Sequence, residues 1–164
     1  MIRRETLVTT AKDILELASH YKGEPHREMR LDGLVYGVLN AKFAVSRQHH
    51  VRSSVPGRKP KRIDFRQGGT NPVVIEFVVR TERHRIEAYG GQNEDELHKL
   101  ARQSKAKARY LLILDIATDP IAEQKLKDSY AKVNHQRGRG ARKRVRVVYV
   151  HSTKDYHFLW PVRV

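Results

Sequence analysis

Apolar residues recur along the first part of the chain at the spacing of a helix. Leu7, Ala11, Ile14, Leu15, Leu17 and Ala18 fall near one face over residues 5–20, which predicts an amphipathic helix. Gly23-Glu24-Pro25 interrupts the pattern, and Pro25 suits the approach to a second helix over about 26–40. Met29, Leu31, Leu34, Val35, Val38 and Leu39 mark its apolar positions, Glu28 lies near its first turn, and Gly33 and Gly37 weaken it. The period then shortens. Residues 42–52 mix Phe43, Val45 and Val51 with polar positions and read as a first strand, before a turn at Pro56-Gly57. Strands follow at 61–66 and 73–80, and the glycines of Gln67-Gly68-Gly69-Thr70-Asn71 suit a tight hairpin loop between them.

Beyond the hairpin the pattern alternates between helix and strand. Asn93 is a candidate N-cap, with Glu94, Asp95 and Glu96 in the first turn behind it. Leu97, Leu100, Ala101, Ser104 and Ala108 form a narrow stripe, and Lys99, Arg102, Lys105 and Lys107 lie elsewhere around that helix. Residues 110–116 are a continuous apolar run ending near Asp115, the mark of a buried, parallel strand. Asp119-Pro120 introduces another helix reaching about 133, and 145–150 is a last core strand. Residues 156–160 add an edge strand or a packed tail. Between them, 135–144 has no core-forming pattern and reads as an exposed basic loop with Arg137, Arg139, Arg142, Lys143 and Arg144. The order predicts a single α/β domain over 1–164, a sandwich around a mixed sheet.

Charge narrows the class of partner. Thirty-three Lys and Arg against eighteen Asp and Glu give a formal charge of +15, an excess that suits phosphate backbones. Nucleic acid is therefore the expected partner, ahead of an anionic membrane surface or an acidic protein. Arg58, Lys59, Lys61 and Arg62 form one candidate phosphate-binding cluster, and the 135–144 loop with its Gly138-Arg139-Gly140 forms a second. No run of about 18 apolar residues is present, so no membrane span is expected. The absence of cysteine excludes disulfides and thiolate metal sites, and fits a cytoplasmic protein, nucleoid-associated if it binds DNA. The adjacent His49 and His50 point to opposite faces of a strand and do not chelate together. Oligomeric state, a homodimer included, stays open.

One carboxylate stands out. Glu76 sits between Val73-Val74-Ile75 and Phe77-Val78-Val79, where an ionised side chain is costly unless paired, hydrogen-bonded or bound to a metal. Alternation puts Glu76, Val78 and Arg80 on one face of their strand, and Arg62, Asp64 and Arg66 on one face of the preceding strand, opposite Ile63 and Phe65. A hairpin pairing sets Asp64 beside Glu76. Two carboxylates with a backbone carbonyl offer the hard oxygen ligands that Mg²⁺ or Mn²⁺ prefers. An ion pair between Glu76 and Arg62, Arg66 or Arg80 is the ordinary alternative, as a solvated strand position is for Asp64 and a first-turn acid for Glu28.

Taken together, these elements and acids resemble the PD-(D/E)XK nuclease superfamily, the restriction-endonuclease-like fold, over roughly residues 26–116 and as far as 150. The resemblance implies an αβββαβ three-layer sandwich with a central mixed sheet, and a metal-dependent DNA nuclease. It matches Asp64 and Glu76 to the two metal-binding acids and Glu28 to a supporting acid on the first core helix. The chain departs from the pattern at Val78, where the family's lysine belongs. Arg80, or a lysine migrated to the following helix (Lys99, Arg102 or Lys105), would have to replace it, and Arg80 or Lys105 is the expected phosphate-stabilising group. Without such a replacement the same fold would serve as a catalytically inactive nucleic-acid-binding module, with RNA as an alternative partner to DNA.

Overall fold

A computed structural model of the chain describes residues 2–20, 28–51, 61–82, 93–131, 143–152 and 157–163. Two helices lead, α1 (Arg4–Ser19) and α2 (Glu28–Phe43), followed by three strands, β1 (Val45–Val51), β2 (Lys61–Gln67) and β3 (Val73–Arg80). Then come α3 (Glu94–Ala101), β4 (Ala108–Asp115), α4 (Glu123–Ala131), β5 (Arg144–His151) and β6 (His157–Arg163). The protein is thus α/β, and its six strands form one mixed sheet in sequential order, β1 to β6. Neighbours β1–β2, β2–β3 and β5–β6 run antiparallel, while β3, β4 and β5 run parallel.

The two crossovers explain the layering. Both β3→β4 and β4→β5 step in the same direction, and right-handed connections then carry their helices, α3 and α4, to one face. Leu97, Leu100, Leu126 and Tyr130 from these helices pack there on Val74, Val78, Leu111, Ile113, Val147 and Tyr149. Helices α1 and α2 cover the other face: Leu7, Ile14, Leu31, Val35 and Leu39 pack on Phe65, Ile75, Phe77, Tyr110, Leu112 and Val148. All eight residues of β3 and all eight of β4 are buried, as befits central strands covered on both faces. No helix among the described residues is long and apolar enough to cross a membrane.

Several boundaries differ from the sequence pattern. The expected stripe through Ala108 does not extend α3, which stops at Ala101; Ala108 opens β4 instead. Arg109 explains the stop, because its guanidinium donates to the Gln103 and Ser104 carbonyls just past the helix. Asn93 precedes α3 without capping it: its side-chain amide donates to the Tyr130 hydroxyl at 3.1 Å. Asp119-Pro120 likewise does not start α4, which begins at Glu123. Arg144, expected in the basic loop, is the first residue of β5, and the tail is a true edge strand. The rest of that loop up to Arg142 lies outside the described residues.

Three positions bear on stability. Gly33 and Gly37 sit in the interior of α2, and a Cβ on either would meet nothing within 4 Å. Ala44, which links α2 to β1, has φ 49°, a left-handed conformation that favours glycine, and its N–H closes the helix onto the Asn40 carbonyl at 2.8 Å. Gly33→Ala, Gly37→Ala and Ala44→Gly should therefore each raise unfolding free energy by about 0.5–1 kcal/mol in chemical denaturation. A loss at Ala44→Gly would mean that the backbone there relaxes away from the left-handed region.

Candidate active site

The site forms where the β2–β3 ladder stops. Paired positions run Gln67–Val73, Arg66–Val74 and Phe65–Ile75, and the pairing ends just before Asp64 and Glu76. There the backbone exchange is replaced by a side chain, with Phe77 N–H donating to Asp64 Oδ2 at 3.1 Å. This departure also separates Ile63 from Phe65. Expected on one face, they pack into the α3–α4 core and the α1–α2 core respectively.

Glu76 is 1% exposed, and Asp64 is half-buried beside it, close enough to hydrogen-bond. The partner of Glu76 is neither Arg62, Arg66 nor Arg80. It is Lys99 of α3, whose Nζ lies 2.9 Å from Oε2 and also reaches Glu96 at 3.6 Å and the Arg62 carbonyl at 3.4 Å. Among the described residues the other Glu76 oxygen, Oε1, is buried without a hydrogen-bond partner.

Electrostatics follow from this packing. Burial, and then the neighbouring Asp64, push the Glu76 carboxyl up to about 9 against the opposing pull of Lys99. Burial works to lower the Lys99 amine, but Glu76, Glu96 and Asp64 outweigh it and hold it above its ordinary value. Two carboxylates and one ammonium leave a surplus negative charge in a dry place, and one shared proton removes it. A bound cation would do the same, and the orphaned Oε1 offers it a ligand atom. The donor set therefore fits a hard divalent ion, although no cluster of three or more Asp, Glu, His or Cys suited to a metal occurs among the described residues.

The remaining expected site residues are dispersed. Arg80 is corrected: it shares a strand face with Glu76 but lies four residues on, about 13 Å at a strand's rise. There it is buried and bound to Asp115 Oδ2 at 2.7 Å and to the Asp119 carbonyl at 2.6 Å. Lys105 is corrected too, because α3 ends before it and it is exposed on the connection to β4. Lys99 takes the position assigned to it. The sequence signal was present, since Lys99 stands between Leu97 and Leu100 and keeps only 13% side-chain exposure. Glu28 begins α2, with its side chain outside the described residues, as is that of Lys61. Arg62 and Arg144 are exposed and Lys143 is partly so; Arg58, Lys59, Arg137, Arg139 and Arg142 lie outside the described residues.

Proton linkage gives a direct check. Folded Glu76 keeps its proton to about 9, whereas the unfolded chain releases it near the ordinary 4.5. Its contribution to stability is complete at acid pH and declines as pH rises across that interval. Glu76→Gln, which imitates the protonated carboxyl, should flatten this part of the melting-temperature profile. An unchanged slope would assign the proton elsewhere. No family model, curated protein or solved structure matches the chain, so the chemistry of the site rests on its own geometry.

Proposed function

We propose that this protein is a metal-dependent nuclease that hydrolyses phosphodiester bonds in DNA, on a restriction-endonuclease-like fold. One observation carries the reading: Asp64, Glu76 and Lys99 converge where the β2–β3 ladder opens, with Glu76 Oε1 left without a partner among the described residues. The order α2-β1-β2-β3-α3-β4 supports it, because it is the αβββαβ order that the resemblance implies. In this reading Asp64 and Glu76 hold Mg²⁺ or Mn²⁺. Such an ion polarises a phosphoryl oxygen and lowers the pKa of water. Lys99 supplies the cation missing at Val78: its ammonium holds Glu76 at 2.9 Å and can donate to a phosphate oxygen as charge builds there. The excess of 15 positive charges favours the polyanionic substrate.

The test is cleavage of a panel of duplex, single-stranded, flap and four-way DNA with Mg²⁺ or Mn²⁺. Asp64→Ala, Glu76→Ala and Lys99→Ala should each reduce cutting by roughly 100-fold or more while binding persists. Binding without cleavage of any substrate, with either ion, would remove the hydrolytic claim.

A second reading, a non-catalytic nucleic-acid-binding module, is favoured by the 2.9 Å Lys99–Glu76 pair, which already gives the buried carboxyl a partner within the protein. It predicts that Glu76→Gln leaves binding intact and that Mg²⁺ does not raise the melting temperature. On the nuclease reading Mg²⁺ stabilises the protein, and more strongly at pH 8.5 than at pH 6, because the ion displaces a proton. Preference for RNA over DNA at matched salt would mark an RNA-associated role.

A further inference from the structure

The opposite edge of the sheet carries a second set of charges. Arg144 of β5 stands directly across from Arg163 of β6, and both are exposed. Like charges facing each other on paired strands are destabilising, and no carboxylate pairs with either among the described residues. Two residues along, Arg146 lies opposite Pro161 on the same face. Folding alone gives no reason to gather three arginines there.

The ground between them is concave. Two cavities, of about 170 Å³ and about 500 Å³, meet at Trp160 and Pro161 and wrap the β6 edge. Arg144 and Arg146 line the first, Arg163 and Lys127 of α4 line the second, and no Asp or Glu among the described residues lines either. Lys127 is partly neutralised by Glu123 at 2.7 Å, and Arg146 rests on the Tyr110 ring. The uncompensated charge therefore centres on Arg144 and Arg163, on the same face of the strands as the half-buried Leu159 and the exposed Pro161, while Trp160 and Val162 are buried on the other face.

From this arrangement we infer that the β5–β6 edge is a binding surface for single-stranded nucleic acid, with phosphates on Arg144, Arg146 and Arg163 and bases against the apolar seam of Leu159 and Pro161. Cations next to an apolar wall suit a strand whose unpaired base faces are free to pack on it, whereas in a duplex those faces are stacked. The surface lies three strands from Glu76 and acts whether or not that site is catalytic. It shares only the class of partner with the nuclease reading.

Trp160 is the one tryptophan of the chain and reports on its own groove. Titration with oligo(dT) in EDTA, which removes any cleavage, should quench its fluorescence, with weaker binding of a duplex of equal charge. Arg144→Glu turns the repulsive cross-strand pair into an attractive one, so it should raise the melting temperature while weakening oligo(dT) binding tenfold or more. That combination cannot arise from a folding defect. Lys42→Glu with Arg47→Glu, at the α2–β1 side of the sheet, should weaken binding less. Absence of quenching, equal affinity for duplex, or an equal loss in the control variant would overturn the proposal in favour of diffuse polyelectrolyte attraction. Loss of cleavage with binding at this edge retained would strike only the nuclease reading.

Discussion

Strand β3 is buried along its whole length, yet it contains two charges, and much of the molecule is arranged around that condition. An ion inside a sheet covered on both faces has no access to water, so each must find a partner on another element. Glu76 finds one above the sheet, in Lys99, which fastens α3 down onto β3. Arg80 finds one within the sheet, in Asp115 at the end of β4. Asp115 in turn accepts from the Tyr149 hydroxyl and the Ala117 N–H, and its own carbonyl accepts from Ser152 N–H. Burial and Asp115 push the Tyr149 hydroxyl well above its ordinary value, so it remains a donor. The row Arg80–Asp115–His151 thereby closes the carboxyl ends of three parallel strands with side-chain bonds.

The two charges solve the same problem with different completeness. Around Asp115 the described donors and acceptors match, and only the Arg80 Nε remains unpartnered. Around Glu76 the balance is one positive group short, and the carboxyl holds a proton well into the alkaline range. A polar cluster that satisfies itself is a fastening; one that retains a proton for want of a cation is open to exchange. That contrast, rather than burial alone, separates the candidate site from the structural ion pair.

The architecture was largely legible because periodicity and punctuation agree along the chain. The change from helical to strand spacing, the Gly68-Gly69 hairpin and the unbroken apolar run into Asp115 correspond to α1 and α2, the β2–β3 hairpin and β4. The hairpin likewise brings Asp64 beside Glu76, although the strict alternation expected for Ile63 and Phe65 fails there. What stayed hidden depends on distance through space. Arg80 has the right face for Glu76, but a strand face is long, and Asp115 is nearer. Lys105 lost its place because α3 is only eight residues long, and the bonds that end it come from Arg109 on the next strand. Asn93 is a cap by type and is diverted by Tyr130, a contact that no local pattern encodes.

Pro161 has a consequence for assembly. It interrupts the outer strand β6 with a residue that has no backbone N–H, so the edge cannot offer an unbroken row of donors to another strand. Lateral growth of the sheet, by recruiting a strand from a second chain, is obstructed on that side. β1, at the other border, contains no proline and keeps its donors. Among the described strands the sheet is thus directional as a template for aggregation, with a proline in one border strand and none in the other.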